Sequence, residues 1–221
     1  KAISIYSELE MAAQMLQSPI IAITGSNGKT TTTTLIGEMC KHAKISVLVA
    51  GNIGTPLSDV VESSVPDGWT VLEVSSFQAE GMKEFKPKIG LLLNLSPDHM
   101  DRYPSVKEYY QAKRKMFARQ THDDFLIYNA DDREVVKLIE GLSSIKVAFS
   151  LNKELNEGAW VKNEKVICRI ENQSEEIIQA SEIAIRGRHN LYNALAAVLA
   201  ARLAGVDAAA IREALRDFKG V

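Results

Sequence analysis

Ile20-Ile21-Ala22-Ile23-Thr24-Gly25-Ser26-Asn27-Gly28-Lys29-Thr30-Thr31-Thr32-Thr33 is the stretch whose reading decides the fold. An apolar, β-branched run stops at a turn framed by two glycines. A Lys-Thr pair follows, and then residues 30–42 can continue as a helix. Strand, glycine-framed turn and helix make a phosphate loop. The glycines let backbone N–H groups converge on an anion, and the helix N-terminus adds partial positive charge. Lys29 can reach a β- or γ-phosphate, and the Thr30 hydroxyl can sit on a magnesium ion. The usual pattern has a further glycine five positions before Gly28, where this chain has Ile23. The shorter Gly-x-x-Gly-Lys-Thr also occurs in ordinary turns, so the flanking strand and helix carry the assignment.

Outward from the loop, apolar runs alternate with amphipathic ones. Residues 46–50 read as a strand ending in Gly51-Asn52-Ile53-Gly54, either a plain tight turn or a ligand loop. Residues 69–74 read as a strand ending Glu73-Val74-Ser75-Ser76. A carboxylate there either binds magnesium or is an ordinary strand-end acid, and Ser75 or Ser76 can cap the next helix. Residues 89–95 form a run suited to a strand buried on both faces, followed by Pro97-Asp98-His99-Met100-Asp101-Arg102. Strands at 125–129 and 145–150, with a helix between them, continue the alternation. The prediction is an α/β fold with a mainly parallel sheet flanked by helices. In such a sheet ligands bind beyond the carboxyl ends of the strands, and these loops all fall there.

The helix predicted over 105–119 carries an unusual residue. Val106, Tyr109, Tyr110, Met116 and Phe117 form its apolar stripe, and Lys113 lies inside that stripe. Either its stem packs and its amine snorkels to water, or the amine points into the site. Residues 7–16 read as a short helix before the first strand. Residues 151–181 carry short strands between polar turns, a small antiparallel β appendage. Asn190 and Asn193 share a face at the start of a helix reaching about residue 204. Asn190 is either that helix's N-cap or a ligand contact. Asp207 caps a last helix.

The chain has 221 residues, 46% of them hydrophobic, and a net charge of −2. That is enough for one sizeable core, and the interspersed charges argue against a nucleic-acid surface. Cys40 and Cys168 lack metal-ligand spacing and read as isolated thiols. No run has membrane-spanning length, so a soluble, cytoplasmic protein is expected, with no membrane partner.

Thr24-Gly25-Ser26-Asn27-Gly28-Lys29-Thr30, Gly51-Asn52-Ile53-Gly54, Asp98-His99 with Ala112-Lys113, Asn129-Ala130-Asp131-Asp132 and His189-Asn190-x-x-Asn193 together resemble the Mur ligases. These are ATP-dependent, amide-forming enzymes of peptidoglycan precursor synthesis. Folylpolyglutamate synthases share the general plan. Leu72-Glu73-Val74-Ser75-Ser76-Phe77-Gln78 with Pro97-Asp98-His99-Met100-Asp101-Arg102 is closest to the branch that adds D-glutamate to UDP-N-acetylmuramoyl-L-alanine.

The resemblance implies ATP and Mg2+ as cofactors. It implies ATP contacts at Gly25, Ser26, Asn27, Gly28, Lys29, Thr30 and Thr31, with Asn190 and Asn193 near the adenine. Thr30, Glu73, His99 and a carbamylated Lys113 would hold metal. Lys29, Lys113 and His99 would serve catalysis, and Asn52, Ser75 and Gln78 would line the substrate side. It covers only the family's central ATPase domain. Residues 1–18 are expected to be a connector from an N-terminal domain, and 19–221 the central domain, without the C-terminal one. A monomer is expected, and the chain alone is expected to ligate nothing, because positioned co-substrates are lost. A different Mur ligase, a folylpolyglutamate synthase-like ligase and a phosphate-loop nucleotide switch are the competing readings. A switch would need neither His99 nor an inward Lys113.

Overall fold

The apolar run before the Gly25–Thr30 turn becomes β1 (Ile20–Thr24), with every residue buried. In the computed structural model, which describes residues 6–221, it is one of the inner strands of a nine-stranded sheet. The elements in chain order are α1 (Glu8–Ala13), β1, α2 (Lys29–His42), β2 (Val47–Gly51), α3 (Leu57–Val60), β3 (Trp69–Glu73), α4 (Ser76–Glu80) and β4 (Ile89–Leu92). They continue with α5 (Val106–Arg114), β5 (Phe125–Asn129), α6 (Arg133–Leu138), β6 (Ile145–Ser150), β7 (Gly158–Lys162), β8 (Lys165–Ile170), β9 (Gln173–Gln179), α7 (Arg188–Leu203) and α8 (Ala208–Asp217).

The strand order is β2-β3-β1-β4-β5-β6-β7-β8-β9. Pairing is parallel from β2 through β7 and antiparallel across β7-β8-β9. The chain runs from β1 outward to β2, returns through β3, and then crosses to β4. The crevice between the ends of β1 and β4 is therefore the place where ligands bind in a sheet of this kind.

Side-chain alternation explains the two faces. Ile21 and Ile23 point to a core shared with α2, α7 and α8, while Ile20 and Ala22 point to one shared with α1, α3, α4, α5 and α6. Burial on both faces is why the central strands read as unbroken apolar runs. The antiparallel strands expected as an appendage are joined to the main sheet, since β7 pairs with β6 at Ala148–Gly158 through Ser150–Trp160.

Several boundaries differ from the reading. The 89–95 run leaves the ladder after Leu92, because Asn94 turns to Asn27 in the glycine-framed loop and Leu95 N–H donates to Asp132 Oδ2 at 2.8 Å. The 105–119 helix is α-helical to Arg114 and tightens into a 3-10 turn at Lys115–Phe117, a common way to satisfy terminal carbonyls.

Of the expected connector, residues 1–5 lie outside the described residues. The rest is docked rather than free. Ser7 caps α1, and Glu10, fully buried, accepts from Glu84 N at 2.8 Å and Phe85 N at 3.1 Å. A buried carboxylate persists only with such partners. Among the described residues no helix is long and apolar enough to cross a membrane.

Candidate active site

β1 delivers the chain into the loop, and α2 begins at Lys29 with Gly28 as its N-cap. The cap makes no side-chain bond, so the first N–H groups of α2 are free for an anion. The loop is braced from β4. Asn27 N–H donates to Asn94 Oδ1 and Asn94 Nδ2 donates to Asn27 O, both at 2.8 Å. Ser26, 7% exposed, donates through Oγ to Ser96 O at 2.9 Å and accepts from Ser96 N at 3.0 Å.

Gly28 has φ +83°, and a Cβ there would lie 2.2 Å from Asn193 Oδ1. Gly28→Ala therefore meets both a left-handed backbone and a blocked space, and should lower stability by about 1 kcal/mol or more. A thermal scan should show a Tm lower by several degrees; an unchanged Tm would contradict the close packing of α7 on the loop.

Two lysines converge on one carbonyl. Lys29 Nζ donates to Gly25 O at 3.1 Å and Ser26 O at 3.0 Å, and Lys113 Nζ, coming from α5, donates to Gly25 O at 2.9 Å. Burial lowers the Lys29 ammonium below its ordinary range, against the opposing pull of Glu73 and Asp98. Burial, reinforced by the nearby Lys29 charge, lowers Lys113 to about 7, with Asp98 opposing. Lys113 is 1% exposed, so snorkelling is excluded: its amine points into the site.

On the β3 side of the loop, Thr30 Oγ1 donates to Glu73 Oε2 at 2.7 Å and Asn52 Nδ2 donates to Glu73 Oε1 at 3.0 Å. The Gly51–Gly54 loop is thus both a tight turn and a contact to Glu73. Its Gly51, at φ +108°, lies where a Cβ would come within 2.3 Å of Glu73 O. The donor set of hydroxyl and carboxylate oxygen is what magnesium prefers. Among the described residues no three His, Cys, Asp or Glu side chains gather as a metal cage. Magnesium held by one carboxylate and a nucleotide's phosphates needs no such cage.

His99 lies on the exposed rim, with φ +54°. Its backbone N–H donates to Asp98 Oδ1 at 2.8 Å, and its ring is 4.9 Å from Phe77 and 6.0 Å from Tyr109. Lys113 Nζ lies 4.6 Å from the same Tyr109 ring, so the two expected metal groups flank one tyrosine. Ser75 and Gln78 form a reciprocal capping box at the start of α4, with Gln78 N on Ser75 Oγ at 3.2 Å and Ser75 N on Gln78 Oε1 at 3.0 Å.

Across the loop, Asn190 is not an N-cap. Gly187 holds that position, and Asn190 Nδ2 donates to Arg186 O at 2.9 Å while Asn190 Oδ1 accepts from Asn193 Nδ2 at 3.2 Å. Asn193 and Gly28 both line a cavity of about 450 Å3 that opens beside the loop toward β5 and β6. Thr31 is half-buried in the first turn of α2.

The sequence profile of the Mur ligase middle domain matches residues 23–201. The chain belongs to that family. Within the Mur ligases it is similar to the UDP-N-acetylmuramoylalanine–D-glutamate ligase of Acidobacterium capsulatum, 48% identical over 219 residues, covering 98% of this chain and 48% of that protein. The corresponding ligase of Pelotomaculum thermopropionicum is 45% identical over 221 residues, covering 100% of this chain and 49% of the relative. The chain thus spans about half the length of the curated relatives it matches.

Its fold is similar to that of a UDP-N-acetylmuramoyl-L-alanyl-D-glutamate–2,6-diaminopimelate ligase, with TM-score 0.75 at 22% identity, over 96% of this chain and 49% of that one. A pseudomurein peptide ligase type C from Methanothermus fervidus gives TM-score 0.68 at 23% identity, over 93% of this chain and 50% of that one. At these identities the likeness concerns the fold.

Sequence reasoning missed several parts of this Mur ligase domain. Asn94 clamps the loop, yet its signal, a polar residue closing an apolar strand, was on view. Tyr109 was read as core, but its hydroxyl lies 3.3 Å from Ser26 Oγ. Phe149 and Tyr192 wall the cavity beside the loop, and neither is a specified position of any motif read from the sequence.

Proposed function

We propose that this chain is the ATP-binding domain of a ligase that joins D-glutamate to UDP-N-acetylmuramoyl-L-alanine through an acyl phosphate, in peptidoglycan precursor synthesis. The observation that carries the reading is the convergence of Lys29, Lys113 and the Thr30–Glu73 pair on one phosphate loop. The curated relatives, UDP-N-acetylmuramoylalanine–D-glutamate ligases, point to the substrate class. A nucleotide switch has no use for a second, fully buried lysine at the loop.

The chemistry is phosphoryl transfer, in which positioning and charge neutralisation do most of the work. The loop N–H groups from Gly25 to Thr31 cradle the β- and γ-phosphates, and Lys29 swings from the loop carbonyls onto them. Magnesium, when bound, neutralises charge developing on the transferred phosphoryl group. Thr30 and Glu73 would hold it, with His99 and a carbamylated Lys113 holding a second ion. Asn52, Ser75 and Gln78 line the side where the substrate carboxylate attacks, and Asn190 and Asn193 face the nucleoside end.

The test is a phosphate-release assay on a full-length ligase carrying this chain, given UDP-N-acetylmuramoyl-L-alanine, ATP and Mg2+ with one amino acid at a time. D-Glutamate should exceed L-glutamate and meso-diaminopimelate by about 10²-fold or more in kcat/KM. Faster turnover with diaminopimelate, or turnover with a folate substrate instead, would overturn the assignment.

A further inference from the structure

We propose that Tyr192 positions the nucleoside end of the bound nucleotide, with Asp131 as the group that fixes its ring. The inference rests on the nucleotide reading above and deepens it. Glu73 and Asn52 stand at the ends of β3 and β2, on one side of β1. The cavity beside the loop lies on the other side, between Gly28, Asn129, Phe149, Tyr192 and Asn193. For a nucleotide whose phosphates sit on residues 25–31, with its metal side at Glu73, this cavity adjoining Asn27 and Gly28 is the direction open to its base.

Tyr192 lies one residue before Asn193, at an unspecified position of the His189-Asn190-x-x-Asn193 pattern, to which the resemblance assigned no role. It is half-buried in the first turns of α7 and lines the cavity. Its hydroxyl donates to Asp131 Oδ2 at 3.0 Å. Asp131 is itself held by Ser150 Oγ at 2.7 Å and Leu151 N–H at 2.7 Å, both at the carboxyl end of β6. Burial alone would raise the Asp131 carboxyl; these hydrogen bonds outweigh it and hold the group below its ordinary range. The Tyr192 ring meets Phe149 edge-on with centroids 6.3 Å apart, and the Arg188 guanidinium lies 5.7 Å from its centroid. The ring is therefore set before any ligand arrives, and a preset aromatic wall loses little freedom on binding. Every nucleobase offers a π-face to such a wall.

Calorimetric titration of the chain with ATP and, separately, with inorganic tripolyphosphate, both with Mg2+, tests this. Tyr192→Ala should weaken ATP binding on the order of tenfold and leave tripolyphosphate binding unchanged. Tyr192→Phe, which keeps the ring and loses only the Asp131 bond, should bind ATP more tightly than Tyr192→Ala and more weakly than the wild type, the remaining deficit being the part that Asp131 supplies by fixing the ring. Undiminished ATP binding by Tyr192→Ala overturns the proposal, as does an equal loss of both ligands, the mark of a purely structural residue. Wild-type protein that binds no tripolyphosphate would overturn the phosphate-loop reading itself, and this inference with it.

Discussion

Lys29→Ala is expected to lower kcat/KM of a full-length ligase carrying this chain by about 10²-fold or more, with the fold retained. The Lys29 amine already lies within hydrogen-bond reach of two loop carbonyls, at 3.1 and 3.0 Å, at the centre of the turn that would receive the phosphates. A charge clamp in a partly buried site acts through a lower effective dielectric than water, so its loss is felt strongly. Its removal should not unfold the chain. The loop's own geometry comes from the Asn27–Asn94 pair and from Ser26, neither of which needs the lysine. Steady-state kinetics together with circular dichroism check this. A folded variant with unchanged kcat/KM would remove Lys29 from the mechanism.

Lys113→Ala is expected to impair the same enzyme by a comparable factor, and short carboxylic acids should restore part of the rate. The reason is electrostatic. An ammonium beside Lys29 would repel a divalent cation, so the unmodified side chain is in the wrong charge state for metal binding. Burial brings its pKa to about 7, so a large fraction of neutral, nucleophilic amine exists at physiological pH. The amine nitrogen attacks the carbon of CO2, a C–N bond forms, one proton leaves, and a carbamate results. The cation becomes an anion with oxygen ligands. The carbamate nitrogen keeps one N–H, enough to retain the bond to Gly25 O.

The pH dependence has a definite sign. Carbamate formation needs the neutral amine and should rise as pH increases through about 7. The depressed value also means that the folded chain binds fewer protons than the unfolded chain between about 7 and 10.5. Stability relative to Lys113→Met should therefore rise with pH across that window. Carbon-13 NMR with labelled CO2, read with and without Mg2+ and ATP, detects the adduct directly. A bare lysine under those conditions, or a Lys113→Ala enzyme of normal activity, would contradict it.

Much of this was legible because the chemistry is local. The Gly25–Thr30 turn, Glu73 at the end of a buried strand and Lys113 inside an apolar stripe each announce themselves within a few residues. The alternation of strands and helices gave the parallel sheet for the same reason. What was not legible depends on crossings between distant segments. Asn94 acts on Asn27 across 67 residues, and Tyr192 meets Asp131 across 61. The joining of the antiparallel strands to the main sheet hangs on the β6–β7 register, which no composition change signals. Asn190 stayed open between N-cap and ligand contact because a polar residue stands where a helix begins. Gly187 took the position instead, and only the backbone path decides that.

On the proposed function, Lys29, Thr30 and Glu73 form a magnesium-dependent nucleotide site. Titration of the chain with a non-hydrolysable ATP analogue, with Mg2+ and then with EDTA in its place, tests it most directly. Binding should be saturable and should weaken by about tenfold or more without Mg2+ and in the Glu73→Gln variant, where the carboxylate charge opposite Thr30 is gone. Binding indifferent to both Mg2+ and Glu73, or none at millimolar analogue, would contradict it.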